Sequence, residues 1–385
     1  MRNKKLLLGI LIIIGAICVG FAYNKIIHKT ANNTNEEVPI AEQQNLTIDE
    51  KVDKIVASMS KTEKLGQMVM IGIHDTKVND DSLYMLHQFH FGGVILFDRN
   101  MENPEQVKQL TSDLQAKADE KNPLFIGIDE EGGDVVRMAD KLTPPPSQQE
   151  VGQTGDPNQA KENAINTAKE LKNMGINLNF APVADVGSND RRSFSTDPAI
   201  VTNFVKAAAS GYEQENMLYS LKHFPGIGKG QVDSHVEISS IDADKNTLLA
   251  EDLVPFKTVI DENQPENYFI LVSHLKYPAL DPDNPASLSK NIMTDLLRNE
   301  LGYKGIIITD DMEMGAVANH NDFKTIGVKA VQAGADIVMV CHEYEHQQDV
   351  YLGLLDAVDN GEISQERIDQ SVKRIVKAKL LHLYK

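Results

Sequence analysis

The sequence predicts a single (β/α)8 barrel of the TIM type, on three observations. Eight short apolar runs recur along the chain, at 65–73, 93–97, 124–129, 176–186, 218–224, 268–274, 305–310 and 335–340. Stretches with helical spacing, such as Pro104–Lys117 and residues 158–174, separate most of them. Ionisable residues stand at the C-terminal ends of five consecutive runs, the third to the seventh. Continuous apolar runs alternating with amphipathic helices describe parallel strands covered on both faces. An open doubly wound sheet shares that alternation, but eight units with no linker between them close naturally into a barrel.

The chain has 385 residues, 41% of them hydrophobic and 24% charged, which suits one large globular domain with its own core. A net charge of −18 excludes nucleic acid as a partner, because phosphate binding needs a basic face. The two cysteines, Cys18 and Cys341, lie far apart and one is inside an apolar run, so no internal disulfide is expected. Such usage suits a reducing cytosol or the outer face of a bacterium.

Arg2, Lys4 and Lys5 precede an uninterrupted apolar stretch over 6–22. A positive region followed by such a stretch predicts export, with 1–22 as a signal or membrane-anchor segment. At about 1.5 Å per residue it reaches about 25 Å, near the lower limit for crossing a bilayer. Gly20-Phe21-Ala22 offers a cleavage site as the alternative, and Ile17 before Cys18 argues against lipidation there. Residues 23–46 are polar and aperiodic and read as a linker, which leaves 47–385 as the folded domain. The protein is thus expected outside the cell, anchored or secreted, touching the membrane only through that segment, and monomeric.

Asp129-Glu130-Glu131 follows the third run, Asp185 the fourth, Lys222-His223 the fifth, His274 the sixth and Asp310-Asp311 the seventh. In a barrel those ends form one rim, where active sites are built. One Asp after a strand is commonly a helix N-cap. Five strands in succession ending in ionisable groups need another explanation.

On these residues the chain resembles glycoside hydrolase family 3, in its β-N-acetylglucosaminidase branch. Gly66-Gln67-Met68 and Gly92-Gly93-Val94-Ile95-Leu96-Phe97 resemble the first two strands of that family. Asp129-Glu130-Glu131-Gly132-Gly133, Ala181-Pro182-Val183-Ala184-Asp185-Val186 and Arg192-Ser193-Phe194 resemble its D-x-E-G-G, A-P-V-x-D-V and R-S-F segments. Lys222-His223-Phe224-Pro225-Gly226 with Asp233-Ser234-His235 is similar to the K-H-F-P-G…D-S-H signature, and Ile308-Thr309-Asp310-Asp311-Met312 to the nucleophile strand. Three positions depart from the pattern: Ile227 for a histidine, Lys229 for a small or acidic residue, and Asp134 for an arginine, although Arg137 is retained.

The resemblance implies a retaining exo-β-N-acetylglucosaminidase working by double displacement. Retaining glycosidases need a carboxylate nucleophile on one face of the sugar and a proton donor on the other. The resemblance assigns Asp310 as nucleophile and His235 as acid/base, with Asp233 fixing the His235 tautomer; Asp311 is the better candidate for capping. An imidazole titrating near 6.5 can give and take a proton near neutrality. By the same resemblance Asp129, Arg192, Lys222 and His223 bind the terminal sugar, and Arg137, His274 and Met312 complete the substrate-binding set. The dyad points to N-acetylglucosaminides rather than glucosides, and together with export it suggests muropeptides from peptidoglycan.

No metal or cofactor is expected. The first strand ends Gly72-Ile73-His74-Asp75, without the H-x-H of metal-dependent barrel hydrolases, and no P-loop or dinucleotide fingerprint is present. Three other readings stay open on the residues alone. Asp129-Glu130 could assist attack by the substrate's own acetamide; a histidine acid/base leaves room for phosphorolysis; and Ile227, Lys229 and Asp134 could mark a surface glycan-binding protein with a decayed site.

Overall fold

Ser60 and Glu63 form a capping box, with the Ser60 amide donating to Glu63 Oε2 at 2.6 Å and the Glu63 amide to Ser60 Oγ at 3.2 Å. The first apolar run therefore begins as a helix, Lys61–Gln67, and only Val69–Gly72 is strand. A computed structural model of the protein describes residues 46–384, except 119–121, 143, 188–190, 230–238 and 320. The predicted anchor over 1–22, nearly all of the linker and the dyad Asp233 and His235 lie outside the described residues. Among the described residues, no helix is long and apolar enough to cross a membrane.

Each of the other seven runs supplies one strand. With Val69–Gly72 as β1, they are Gly93–Leu96 (β2), Phe125–Ile128 (β3), Leu178–Asn179 (β4), Leu218–Phe224 (β5), Tyr268–Val272 (β6), Ile306–Asp311 (β7) and Ile337–Val340 (β8). All neighbours pair in parallel, and β1 meets β8 in register Val69↔Val338, so the eight strands close into a barrel. The predicted class holds, and the open sheet is excluded. Nearly every strand residue is buried, as continuous apolar runs require when both faces are covered.

The run at 176–186 yields the shortest strand. After Asn179 the chain keeps only isolated bonds to its neighbours: Phe180 donates to the Ile128 carbonyl at 2.8 Å and Ala184 to the Lys222 carbonyl at 2.6 Å. Pro182 has no amide to give and keeps the pairing broken until Val183 meets Lys222. A small antiparallel hairpin, Lys276–Tyr277 with Asp281–Pro285, follows β6.

The covering helices start where local chemistry dictates. Asn103, Asp156 and Asp197 each cap a helix whose first residue is proline, namely Pro104–Lys117, Pro157–Asn173 and Pro198–Gln214. The cap side chain accepts an otherwise orphaned amide, and proline loses nothing at the first helical position. At the barrel's N-terminal end, Lys379 of the helix Gln365–His382 donates to Gln67 Oε1 at 2.6 Å and to the Gly92 carbonyl at 2.9 Å. Burial pushes its ammonium down to about 7. That plug closes the floor and leaves the opposite rim as the open end.

Candidate active site

A cavity of about 440 Å³ opens at the C-terminal ends of the strands, within the size range of small-molecule sites. Two register breaks build its wall. On β5, Leu221 pairs with Ile270 but Phe224 with Val272, so β5 advances by one residue more than β6. On β7, Ile308 pairs with Ile337 but Asp311 with Met339, again one residue extra. Successive side chains of a regular strand point to opposite faces, and a bulge re-aims them. Lys222 with His223, and Asp310 with Asp311, accordingly line the same cavity despite being sequence neighbours.

On the wall facing Asp310 from β3, β5 and the loop after β4 lies a closed network of charges. The Lys222 ammonium sits 2.7 Å from Asp129 Oδ1 and 2.6 Å from Glu131 Oε1. Arg192 holds Glu131 in a two-point fork, Nε to Oε2 at 2.8 Å and Nη2 to Oε1 at 2.7 Å. Its Nη2 also lies 3.1 Å from His223 Nε2. A guanidinium only donates, so that ring nitrogen must accept and the proton must sit on Nδ1, which donates to Asp185 Oδ2 at 2.8 Å. Asp185 also takes the His223 and Ile227 amides, at 3.1 and 2.9 Å, which orients the ring from behind.

Burial pushes the Asp129 carboxyl up, but Lys222 and Arg137 outweigh it and hold it below its ordinary value. Glu131 is likewise pushed up by burial and drawn well below the usual range by Lys222 and Arg192. Burial lowers the Lys222 ammonium, and the two carboxylates more than reverse that. Each charge is present because the others are.

Gly132 and Gly133 make the turn that delivers Glu131. Both have positive φ, +99° and +63°, and a Cβ on Gly132 would sit 2.4 Å from the Pro146 carbonyl. The same turn brings back Arg137, whose Nη2 lies 3.3 Å from Asp129 Oδ2. The buried Nε of Arg137 has no hydrogen-bond partner among the described residues.

Asp310 lines the cavity half-buried, its Oδ1 accepting the Asp311 amide at 2.9 Å. Asp311 takes a turn-capping role: its Oδ1 accepts the Glu313 and Cys341 amides, both at 3.1 Å. Two members of the expected set lie elsewhere. His274 is buried behind the wall, bonded through Nδ1 to Ser287 Oγ at 2.7 Å and through Nε2 to the Asp311 carbonyl at 2.8 Å. Met312 is fully buried beneath the rim, and Met314 lines the cavity in its place. With Asp310 and Asp311 both at the cavity after the bulge in β7, Met312 falls out of its lining.

Glu131, Glu313 and His342 also line the cavity, and sequence reasoning gave none of them a role. The signal was available. Glu131 lies within the acidic triplet, and His342 follows the eighth run as Lys222-His223 follows the fifth. Nor do the adjacent acids Asp129 and Glu130 form a pair, since Glu130 does not line the cavity and its Oε2 accepts the Arg137 amide at 2.8 Å. The departures pair with their surroundings: Lys229 with Glu251 and buried Asp252, both at 2.7 Å, and Asp134 with Arg191 at 3.3 Å. Ile227 lines the cavity.

Burial pushes the Glu130 carboxyl up to about 7. The folded chain then holds a proton that the unfolded chain releases near 4.5, so stability falls as pH rises from about 4.5 through 7. The penalty above pH 7 is about 3 kcal/mol. Glu130→Gln is expected to stabilise the protein by up to that amount at pH 8 and hardly at all at pH 4.5, in denaturant titrations at the two values. An equal effect at both would show that Glu130 ionises freely.

Residues 60–378 match the glycosyl hydrolase family 3 N-terminal domain. Beta-hexosaminidase A of Pseudoalteromonas piscicida is 35% identical over 326 residues, 77% of this chain but 54% of that protein's length. Beta-hexosaminidase of Nitrosomonas eutropha is 33% identical over 318 residues, 79% of this chain and 90% of that one. Among solved structures, a glycoside hydrolase family 3 beta-N-acetylglucosaminidase from Paenibacillus sp. str. FPU-7 superposes with a TM-score of 0.81 at 36% identity, over 84% of this chain and 63% of that chain. M tuberculosis LpqI superposes with a TM-score of 0.78 at 30% identity, over 85% and 96%. The chain spans about half of the Pseudoalteromonas protein and nearly all of the Nitrosomonas one. With the matched domain covering the whole barrel, this chain belongs to glycosyl hydrolase family 3.

Proposed function

We propose that the protein is a retaining exo-β-N-acetylglucosaminidase, with Asp310 as nucleophile and the Asp233–His235 dyad as acid/base. The observation that carries the reading is the placement of Asp310 on the bulged end of β7, in one cavity with the Asp129–Lys222–Glu131–Arg192 network. Charged donors and acceptors fixed in this way suit the hydroxyls of one terminal sugar. Bonds that tighten as the ring flattens towards an oxocarbenium ion lower the barrier. Asp310 attacks the anomeric carbon as His235 gives its proton to the leaving oxygen. In the second step His235 takes a proton from water, whose oxygen displaces Asp310 and restores the β configuration.

The cavity charge favours water over phosphate as acceptor. Among the described lining residues, the carboxylates Asp129, Glu131, Asp310, Asp311 and Glu313 outnumber the fixed cations Arg137, Arg192 and Lys222. An incoming dianion meets a net negative wall.

The substrate proposed is terminal N-acetylglucosamine on peptidoglycan fragments, reached outside the cell by export through 1–22. The soluble fragment from Thr47 is expected to release 4-nitrophenol from the β-glycoside of N-acetylglucosamine at least about 100-fold faster than from the glucoside, as kcat/KM. Comparable rates on both sugars would overturn the assignment. Cleavage of chitobiose without cleavage of muropeptides would remove the cell-wall role, and full-length protein that never enters the secretory route would remove export.

A further inference from the structure

The bulge that exposes Asp310 also takes it out of the regular ladder. Past Ile308 the pairing of β7 with β8 slips, and side chains of β7 and its following turn take over the amides of the β8 end. Thr309 Oγ1 accepts the Met339 amide and Asp311 Oδ1 the Cys341 amide, both at 3.1 Å. Glu313 accepts two more, those of His342 and, at 2.9 Å, Glu343. Two imidazoles complete the joint. His342 Nδ1 faces Arg99 Nη1 at 3.1 Å, so it must accept, and Nε2 carries the proton towards Asp311 Oδ2 at 3.2 Å. His346 Nδ1 meets Glu313 Oε1 at 2.6 Å while its ring stacks on Phe323, centroids 3.8 Å apart. Glu313 is buried at this joint although it borders the cavity.

We propose that Asp311 and Glu313, with His342 and His346, are positioning residues that clamp the end of β7 to the junction between β8 and the helix Tyr344–Asp359, and so hold Asp310 in line for attack. The inference rests on the reading of Asp310 as nucleophile. Its reason is geometric. A misplacement of about 1 Å at the reacting atoms costs about 100-fold in rate, and here side chains carry most of the joint beside one backbone bond, from the Met312 amide to the Met339 carbonyl at 2.9 Å. Residues proposed to hold the sugar lie on β5 and the loops after β3 and β4, so loosening the clamp moves the nucleophile and not the sugar site.

The test compares Glu313→Ala and Glu313→Gln in the fragment from Thr47, with active sites counted by trapping the glycosyl-enzyme with a slow fluorinated substrate. Glu313→Ala is expected to lower kcat per counted site by about 10- to 100-fold. KM should stay within about threefold, and Glu313→Gln, which keeps one accepting oxygen, should recover part of the rate. An unchanged kcat per counted site would reduce the clamp to a stabilising feature, and a raised KM at unchanged kcat would make Glu313 a sugar contact; either overturns the proposal. An active Asp310→Ala would sink the nucleophile reading itself, whereas an inactive one with normal Glu313 variants would sink the clamp alone.

Discussion

Asp310→Ala is expected to lower kcat for the N-acetylglucosaminide by about 1,000-fold or more, at least about 4 kcal/mol of barrier, with the fold intact. The side chain is half-buried at the cavity wall and, among the described residues, bonds to the next residue's amide and to no cation, so truncation removes no ion pair seen there. The loss should therefore be chemical and not structural. Small anions discriminate the mechanism. Azide admitted into the space vacated by the carboxylate should attack from the same face as Asp310 and yield the α-glycosyl azide from an activated substrate. Recovery without any glycosyl azide, or a β-configured product, would argue against double displacement through Asp310.

Lys222→Met should have the largest effect on stability. The ammonium is buried between Asp129 and Glu131, and Glu131 is itself almost wholly enclosed. Removing the cation leaves two carboxylates facing each other, with Arg137 and Arg192 as the remaining cations on them. Breaking a buried pair from one side costs about 3–5 kcal/mol, because the orphaned charge keeps its desolvation penalty. Denaturant unfolding measures it. Adding Glu131→Gln should return part of the loss, since the two sites act on each other and cannot be additive. A single-variant cost under about 1 kcal/mol would mean that the network is solvated, and the depressed carboxyl values of Asp129 and Glu131 would lose their cause.

The eight strands and the helical stretches at 104–117 and 158–174 were legible in the sequence because they depend on local patterns. Burial on both faces makes each strand a continuous apolar run; the caps Asn103, Asp156 and Asp197 before proline are equally local, though only the structure drew them out. The rim could be read too, since strand ends in a barrel share one side. Where the reading went astray, one chain neighbourhood had two possible outcomes. Ser60 and Glu63 drew the first three residues of the first run into a helix, and the fourth run kept only Leu178–Asn179 as regular strand, with Pro182 interrupting the pairing beyond.

The sequence by itself thus determined the barrel, the family pattern and the residue types at its mouth. Only the tertiary structure decided which of them share the cavity. One extra residue on β5 and one on β7 reverse the alternation of side chains, a register event between strands that no single run records. That reversal turns both Lys222 and His223, and both Asp310 and Asp311, into one cavity, while Met312 and His274 are buried outside its lining. The pairing of Lys222 with Glu131 and of Glu313 with His346 joins residues far apart in the chain, and such partners are set by packing and charge once the barrel has closed.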